Sequence, residues 1–228
     1  METIVLIPAY NEEKNIKEVV NRTKNSGFFP IVIDDGSADK TSEIVKKGGA
    51  VVVTHEKNKG KGEAMTTGFK LIAEKYSKTK YIVILDADLQ YNPEDIPRVI
   101  QPLRDNEADF VTGYRNWKEV PRRHSLGNFV WRNTFNLFFG TKLKDTNCGF
   151  IAMTTKAMKK MMKITYGGYI IENMMLAEAL KNNFRIKQVP VKVHYHYIRS
   201  IPGGTRIVLG CWIFIIKRAL RQRFRIKL

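Results

Sequence analysis

Short apolar runs alternate with amphipathic stretches through the first half of the chain. The runs predict five strands, at residues 3–7, 30–35, 51–55, 81–86 and 109–114. Between them, helical spacing of apolar residues predicts helices that begin after Asn11, after Ser37 or Asp39, near residue 62 and at Pro93. Strands that alternate with helices over short connections predict an α/β fold, with a mostly parallel sheet covered by helices on both faces.

The pattern changes after residue 115. Residues 115–125 are polar and basic, which indicates a loop, and the aromatic spacing of 129–140 predicts a helix. The pattern of residues 145–150 predicts a turn that leads into a short strand, and residues 184–197 are predicted to be extended. Two more helices are predicted between them, near 155–162 and 170–182.

The last 28 residues differ from the rest of the chain. Residues 207–216 are apolar but too few for the roughly 18–20 needed to span a bilayer, and six cations follow them. This pattern predicts an amphipathic helix on an anionic membrane surface. The alternative is a helix packed on the domain or on a second copy, which leaves a homodimer open. We therefore expect a catalytic domain over 1–200 and a membrane-associating tail over 201–228.

Charge and cysteine content limit the partners and the compartment. The 228 residues include 39 Lys and Arg against 22 Asp and Glu, a net charge of +17, which favours polyanionic partners. Cys148 and Cys211 stand far apart, so a disulfide framework or zinc cluster is not expected. The N-terminus lacks the features of a signal peptide. These observations predict a cytoplasmic protein, peripheral on the cytoplasmic face of a membrane.

Acidic and polar residues follow three of the predicted strands. The segments are PAYNE at 8–12, DDGS at 34–37 and DADLQ at 86–90. Since ligands bind at the carboxyl ends of parallel strands, all three are expected at one edge of the sheet. Asp86 and Asp88 would face the same way on an extended chain and suit Mg²⁺ or Mn²⁺, with Gln90 adding an oxygen. The simpler interpretations are a turn with solvated acids, a helix cap and an Asx turn.

These segments, taken in order with NKGKG, GYR and DTNCGF, resemble the family-two, GT-A-type glycosyltransferases over roughly residues 1–200. Dolichol-phosphate mannose synthases and polyprenyl-phosphate glucosyltransferases are the members it resembles most. The resemblance implies a Rossmann-like GT-A fold and a metal held on a sugar nucleotide by Asp86, Asp88 and Gln90. It implies nucleotide-sugar contacts at Pro8, Tyr10, Glu12, Ile33, Asp35, Asp86, Ala87 and Asp88.

The resemblance also implies arginines for an acceptor phosphate. Arg115 matches the family's GYR position, Arg122 and Arg123 compete for a second position, and Ser125 lies beside them. A late family segment with two cations corresponds to Arg199 and Arg206, although this chain has one extra residue there and Thr-Arg in place of Ser-Lys. Guanidinium groups suit bidentate phosphate recognition. The residues expected to act in the reaction itself are Asp88, Arg115 and Arg123.

Three functions compete. The first is an inverting hexosyltransferase, like dolichyl-phosphate mannosyltransferase, that moves mannose, glucose or GlcNAc from a GDP- or UDP-sugar to dolichyl or polyprenyl phosphate. The second uses the same donor but a sugar hydroxyl acceptor on a lipid-linked glycan or cell-surface polysaccharide, with Glu172 as the base. The third is nucleic-acid binding, which is not expected because recognition motifs are lacking and three strand ends are acidic.

Overall fold

One seven-stranded sheet organises the molecule. The structure is a computed structural model that describes residues 1–117, 122–162 and 170–194, with the backbone alone described for 122–126. The strands are β1 Thr3–Ala9, β2 Phe29–Asp34, β3 Val51–Thr54, β4 Tyr81–Ile84, β5 Phe110–Arg115, β6 Ile151–Thr154 and β7 Ile186–Val191. Their order across the sheet is β3-β2-β1-β4-β6-β5-β7. Only β6 runs antiparallel to its neighbours, β4 and β5, so the predicted mostly parallel sheet is confirmed.

Helices cover both faces of the sheet, as predicted. They are α1 Ile16–Asn25, α2 Thr41–Lys47, α3 Lys61–Lys75, α4 Ile96–Arg104, α5 Arg122–Phe139, α6 Thr155–Met161 and α7 Ile171–Lys181. Alternate residues of β1 point to opposite faces. Ile4 and Leu6 pack with residues of α3, α5, α6 and α7, whereas Val5 and Ile7 pack with α1, α2 and α4. Both faces of the central strands are therefore buried, which explains their continuous apolar runs.

The strand directions bring the predicted site segments together. β1, β2 and β4 are parallel, so the residues that follow them lie at one edge of the sheet. Because β6 is reversed, the segment that enters it, residues 145–150, lies at this same edge. We call this edge the carboxyl edge.

Two local predictions were wrong. Asn11 does not cap α1: it has φ 55°, its Oδ1 accepts a hydrogen bond from the backbone N–H of Ala38 at 2.9 Å, and α1 begins only at Ile16. The segment after β1 is held by the loop after β2 instead of entering a helix directly. The loop expected over 115–125 is also wrong at its end, because α5 begins at Arg122. Within the described ranges, no helix is long and apolar enough to cross a bilayer.

Candidate active site

The acidic pair lies just beyond β4. The chain turns here instead of staying extended: Leu89 has φ 61°, and the backbone N–H of Gln90 donates to Asp88 Oδ1 at 3.1 Å. The carboxylates of Asp86 and Asp88 are nevertheless close enough to influence each other. Burial raises the pKa of Asp88 to about 6, and the negative charges of Asp86 and Glu12 add to the rise, while Gln90 and Lys61 offset part of it.

This environment fits a divalent cation. The pKa of Asp88 stays raised although Lys61 is nearby, so a further positive charge would stabilise the ionised carboxylate, and Mg²⁺ or Mn²⁺ prefers such oxygen ligands. The described part of the chain contains no group of three or more His, Cys, Asp or Glu side chains arranged to hold a metal. That Asp86, Asp88 and Gln90 hold a metal stays a prediction.

Lys61 links the acidic pair to a third carboxylate. It is the first residue of α3, and its Nζ lies 2.7 Å from Asp86 Oδ1 and 2.8 Å from Glu172 Oε1 at the start of α7. Burial alone would lower the pKa of Lys61, but Asp86 and Glu172 raise it well above its usual value. The ammonium group is therefore charged and shared by two elements of the site.

Gly149 supports Asp86 from the opposite side. A Cβ added at Gly149 would lie 2.2 Å from Asp86 Oδ2, so the carboxylate occupies the space that any larger residue would need. The buried hydroxyl of Tyr91 accepts a hydrogen bond from the backbone N–H of Gly149 at 3.1 Å. The segment that enters β6 thus packs directly against Asp86.

Asp35 holds the loop that carries Lys61. Its carboxylate lies 2.7 Å from His55 Nδ1 and accepts hydrogen bonds from the backbone N–H groups of Lys59 and Gly60, at 2.9 and 2.7 Å. The other ring nitrogen of His55 lies 2.9 Å from Thr67 Oγ1 on α3. His55 was not among the predicted site residues; the signal for it was its position at the end of a strand, as for the acidic segments.

The remaining predicted nucleotide contacts lie along the same edge. Pro8 and Ile33 are buried partners across β1 and β2, and Ala87 is buried beside Asp86. Tyr10 is 43% exposed, so its ring is accessible for stacking on a base. The backbone N–H of Glu12 donates to Thr41 Oγ1 at 2.8 Å, which ties this segment to the start of α2.

Arg115 is engaged by an acid that the sequence analysis did not assign. Its Nε and Nη2 donate to the two carboxylate oxygens of Asp145 at 2.6 and 2.9 Å, and Asp145 is almost completely buried. Burial would lower the pKa of Arg115, but Asp145 raises it well above its usual value. Arg115 therefore anchors the segment before β6, and its contact with an acceptor phosphate stays a prediction.

Three asparagines extend this anchor towards α7. Asn147 Nδ2 donates to Asn128 Oδ1 of α5 at 3.0 Å, and Asn173 Nδ2 donates to Asn147 Oδ1. Asn173 follows Glu172 directly, so the network connects Arg115 with the helix that carries Glu172. The signal in the sequence was a set of asparagines close to DTNCGF and to Glu172.

Several predicted acceptor residues cannot be placed. The side chains of Arg122, Arg123 and Ser125 lie outside the described residues, although their backbone forms the first turn of α5. Arg199, Arg206 and the whole tail 201–228 also lie outside them, as does the predicted domain boundary.

Comparison with known proteins identifies the family. The sequence model described as "Glycosyl transferase family 2" matches residues 4–166. The chain belongs to glycosyl transferase family 2. The predicted family and enzyme class are confirmed, and the protein is a glycosyltransferase.

Several proteins are similar in sequence to this family 2 glycosyltransferase. It is 33% identical over 234 residues to the UDP-N-acetylglucosamine–dolichyl-phosphate N-acetylglucosaminyltransferase of Methanococcus voltae, which covers 92% of each chain. It is 36% identical over 216 residues to an uncharacterized protein of Methanocaldococcus jannaschii, which covers 92% of this chain and 88% of the relative. The glycosyltransferase AglJ of Haloferax volcanii is 30% identical over 191 residues, covering 82% of this chain and 61% of AglJ.

Solved structures confirm the GT-A fold of this family 2 glycosyltransferase. Glucosyl-3-phosphoglycerate synthase from Mycobacterium tuberculosis, in complex with Mn²⁺, UDP and phosphoglyceric acid, superposes with a TM-score of 0.78. The match covers 96% of this chain and 78% of the synthase, at 21% identity. At that identity the likeness establishes the fold only.

Proposed function

We propose that this glycosyltransferase moves a hexose from a nucleotide diphosphate sugar to dolichyl or polyprenyl phosphate, with inversion at the anomeric carbon. The observation that carries the proposal is the pair Asp86 and Asp88 at the carboxyl edge, where burial and the negative charges of Asp86 and Glu12 raise the pKa of Asp88 to about 6. A divalent metal ion bound to the donor diphosphate would supply the positive charge that stabilises the ionised carboxylates. The names of two similar proteins support the choice of substrates: one acts on UDP-N-acetylglucosamine and dolichyl phosphate, and the other binds Mn²⁺ with UDP.

The nucleotide would lie along the ends of β1 and β2. Tyr10 would stack on the base, and Glu12 and Asp35 would line the nucleoside, between the walls formed by Pro8 and Ile33. Asp86, Asp88 and Gln90 would hold Mg²⁺ or Mn²⁺, which would neutralise the charge that develops on the leaving diphosphate. Ala87, which separates the two acids in sequence and is buried, would lie next to the sugar nucleotide. The donor diphosphate would then face Lys61.

The acceptor phosphate needs no base, because a phosphate monoester is already ionised at neutral pH. One of its oxygens attacks the anomeric carbon from the face opposite the diphosphate; a new C–O bond forms as the bond to the diphosphate oxygen breaks, and the nucleoside diphosphate leaves with the electron pair. Cations must hold this nucleophile. We assign that task to the arginines predicted from the sequence, Arg115, Arg122, Arg123, Arg199 and Arg206, with Ser125 beside them.

A sugar hydroxyl is the second candidate acceptor, and the position of Glu172 favours it. Glu172 lies 2.8 Å from Lys61, which itself contacts Asp86, so a carboxylate is present beside the acidic pair. A hydroxyl nucleophile needs such a base. At saturating metal, Glu172→Gln should abolish transfer to a hydroxyl and leave transfer to a lipid phosphate largely intact.

A transfer assay tests the proposal. Purified protein would be mixed with Mn²⁺ or Mg²⁺, polyprenyl phosphate and each of a panel of radiolabelled UDP- and GDP-sugars, beginning with UDP-N-acetylglucosamine. We expect label in the lipid phase that is lost with EDTA and with Asp88→Ala. Metal-dependent binding of a sugar nucleotide without lipid label would instead favour the hydroxyl acceptor, and label that persists in Asp88→Ala would refute the assigned site.

The membrane contact and the domain division rest on the sequence alone. We assign residues 1–200 to catalysis and 201–228 to attachment at the cytoplasmic face, next to a lipid acceptor. Co-sedimentation of the full chain with anionic but not with neutral vesicles, reduced by neutralising the cations of 217–227, would support this. The alternative for the tail is a homodimer contact, which light scattering would detect. Nucleic acid remains an unexpected partner.

A further inference from the structure

Lys61 occupies the position where the acidic pair needs a cation. Its Nζ contacts the Oδ1 atom of Asp86, while Oδ2 of the same carboxylate lies against Gly149. The three side chains are shielded, with 28% of Lys61, 24% of Asp86 and 12% of Glu172 exposed. A cation that binds Asp86 through Oδ1 must therefore share that oxygen with an ammonium group or displace it.

Glu172 provides an alternative partner for that ammonium group. It lies 2.8 Å from Lys61 Nζ and belongs to α7, whereas Asp86 follows β4. If Lys61 leaves Asp86, its charge stays compensated by Glu172, so the displacement does not leave a bare ammonium in a shielded site. The backbone just before Lys61 is held in place throughout, because Asp35 accepts hydrogen bonds from the backbone N–H groups of Lys59 and Gly60.

We propose that Lys61 is an internal counter-cation, which competes with the divalent metal for Asp86 and passes to Glu172 when the metal binds. The proposal rests on the metal site of the proposed function and assigns Lys61 the role of a positioning residue. The competition lowers the affinity for metal alone. A metal that arrives with a nucleotide diphosphate is favoured, because the diphosphate offers the displaced ammonium a further anionic partner.

Binding of Mn²⁺ alone tests the competition without any measurement of activity. Free Mn²⁺ gives an electron paramagnetic resonance signal that disappears on binding, so each variant can be titrated directly. We expect Lys61→Met to bind Mn²⁺ about tenfold more tightly or better, since a cation within contact distance of Asp86 is removed. Glu172→Gln should weaken Mn²⁺ binding. Lys61 would then lose one of its two carboxylate partners and stay on the other, Asp86, where it competes with the metal.

Two further variants make the result decisive. Lys59→Met removes the same charge from an exposed position in the same loop, and it should change Mn²⁺ affinity much less than Lys61→Met does. Asp88→Ala should abolish Mn²⁺ binding. If the wild-type protein binds Mn²⁺ independently of Asp88, the metal site of the proposed function is wrong, and the competition fails with it.

Mn²⁺ binding that depends on Asp88, but is no tighter in Lys61→Met than in Lys59→Met, would overturn the proposed competition and leave the metal site intact. The absence of detectable binding to both the wild type and Lys61→Met overturns the competition as well. Glu172→Gln tests the proposal even if Lys61→Met does not fold, because Gln keeps the shape and the Oε1 acceptor of Glu172. Tighter Mn²⁺ binding by Glu172→Gln would also contradict the proposal.

Discussion

Asp88→Asn is expected to stabilise the metal-free protein at pH 7.5. Burial, Asp86 and Glu12 raise the pKa of Asp88 to about 6, against about 3.9 for Asp in an unfolded chain, and one pKa unit corresponds to ~1.4 kcal/mol. Ionisation of Asp88 therefore costs the folded state at most about 3 kcal/mol. Asn keeps the Oδ1 that accepts a hydrogen bond from Gln90. We expect the free energy of unfolding to rise by about 1–3 kcal/mol.

The stabilisation should depend on pH in one direction. Between about pH 4 and pH 6 the folded state keeps a proton on Asp88 that the unfolded chain has released. The contribution of Asp88 to stability therefore falls as the pH rises through this window, and the penalty is complete above it. The gain from Asp88→Asn should be close to zero at pH 4, grow up to about pH 6 and stay constant beyond.

Urea denaturation followed by tryptophan fluorescence and circular dichroism, in EDTA at several pH values, measures this gain. The control is Glu56→Gln, which neutralises an exposed carboxyl and should change stability little at any pH. A loss of stability in Asp88→Asn at pH 7.5, or an equal gain at pH 4 and pH 7.5, would refute the reasoning.

Three other substitutions test the supports of the site. Gly149→Ala should weaken Mn²⁺ binding by about tenfold or more in a titration, because the new Cβ would displace Asp86. Asp145→Asn should lower the free energy of unfolding in urea by about 3 kcal/mol, because Arg115 would stay charged and shielded without its partner. Asp35→Asn should cost about 1–3 kcal/mol in thermal denaturation, since an amide NH₂ would face backbone donors.

Each of these substitutions has a matched control or a contradicting result. Gly127→Ala adds a Cβ to open space in α5 and should leave Mn²⁺ affinity unchanged. Glu107→Gln breaks an exposed ion pair with Lys187 and should lower the free energy of unfolding by less than about 1 kcal/mol. An equally small loss for Asp145→Asn would show that burial does not strengthen the ion pair between Arg115 and Asp145. An unchanged melting temperature for Asp35→Asn would contradict its role as the anchor of the loop.

The sheet and the acidic residues at its carboxyl edge could be predicted because they depend on local pattern. The apolar runs at 3–7 and 81–86 are long enough to identify buried strands, and their parallel direction follows from the helices between them. Once the strands are parallel, Asp35, Asp86 and Asp88 must share an edge. No knowledge of distant contacts is needed for that step.

The contacts of Gly149 and Arg115 could not be predicted in the same way. The direction of β6 is not encoded in its four residues, so the contact between Gly149 and Asp86 could not be predicted from the sequence. The partner of Arg115 lies 30 residues away, at Asp145, and only the fold reveals that the pair is bidentate. His55 was not assigned to the site, because a histidine gains its role from the carboxylate that faces it, here Asp35.

The reversed strand β6 divides the enzyme into two parts that can change independently. On one side of Asp86, chain segments leave parallel strands, and their lengths are constrained by the crossover helices that follow. On the other side, one segment arrives from α5 and enters β6, so an insertion before Asp145 would lengthen an incoming connection without shifting any parallel strand. Insertions in the segment between α5 and β6 can therefore change the surroundings of the acidic pair and leave the segments after the parallel strands unchanged.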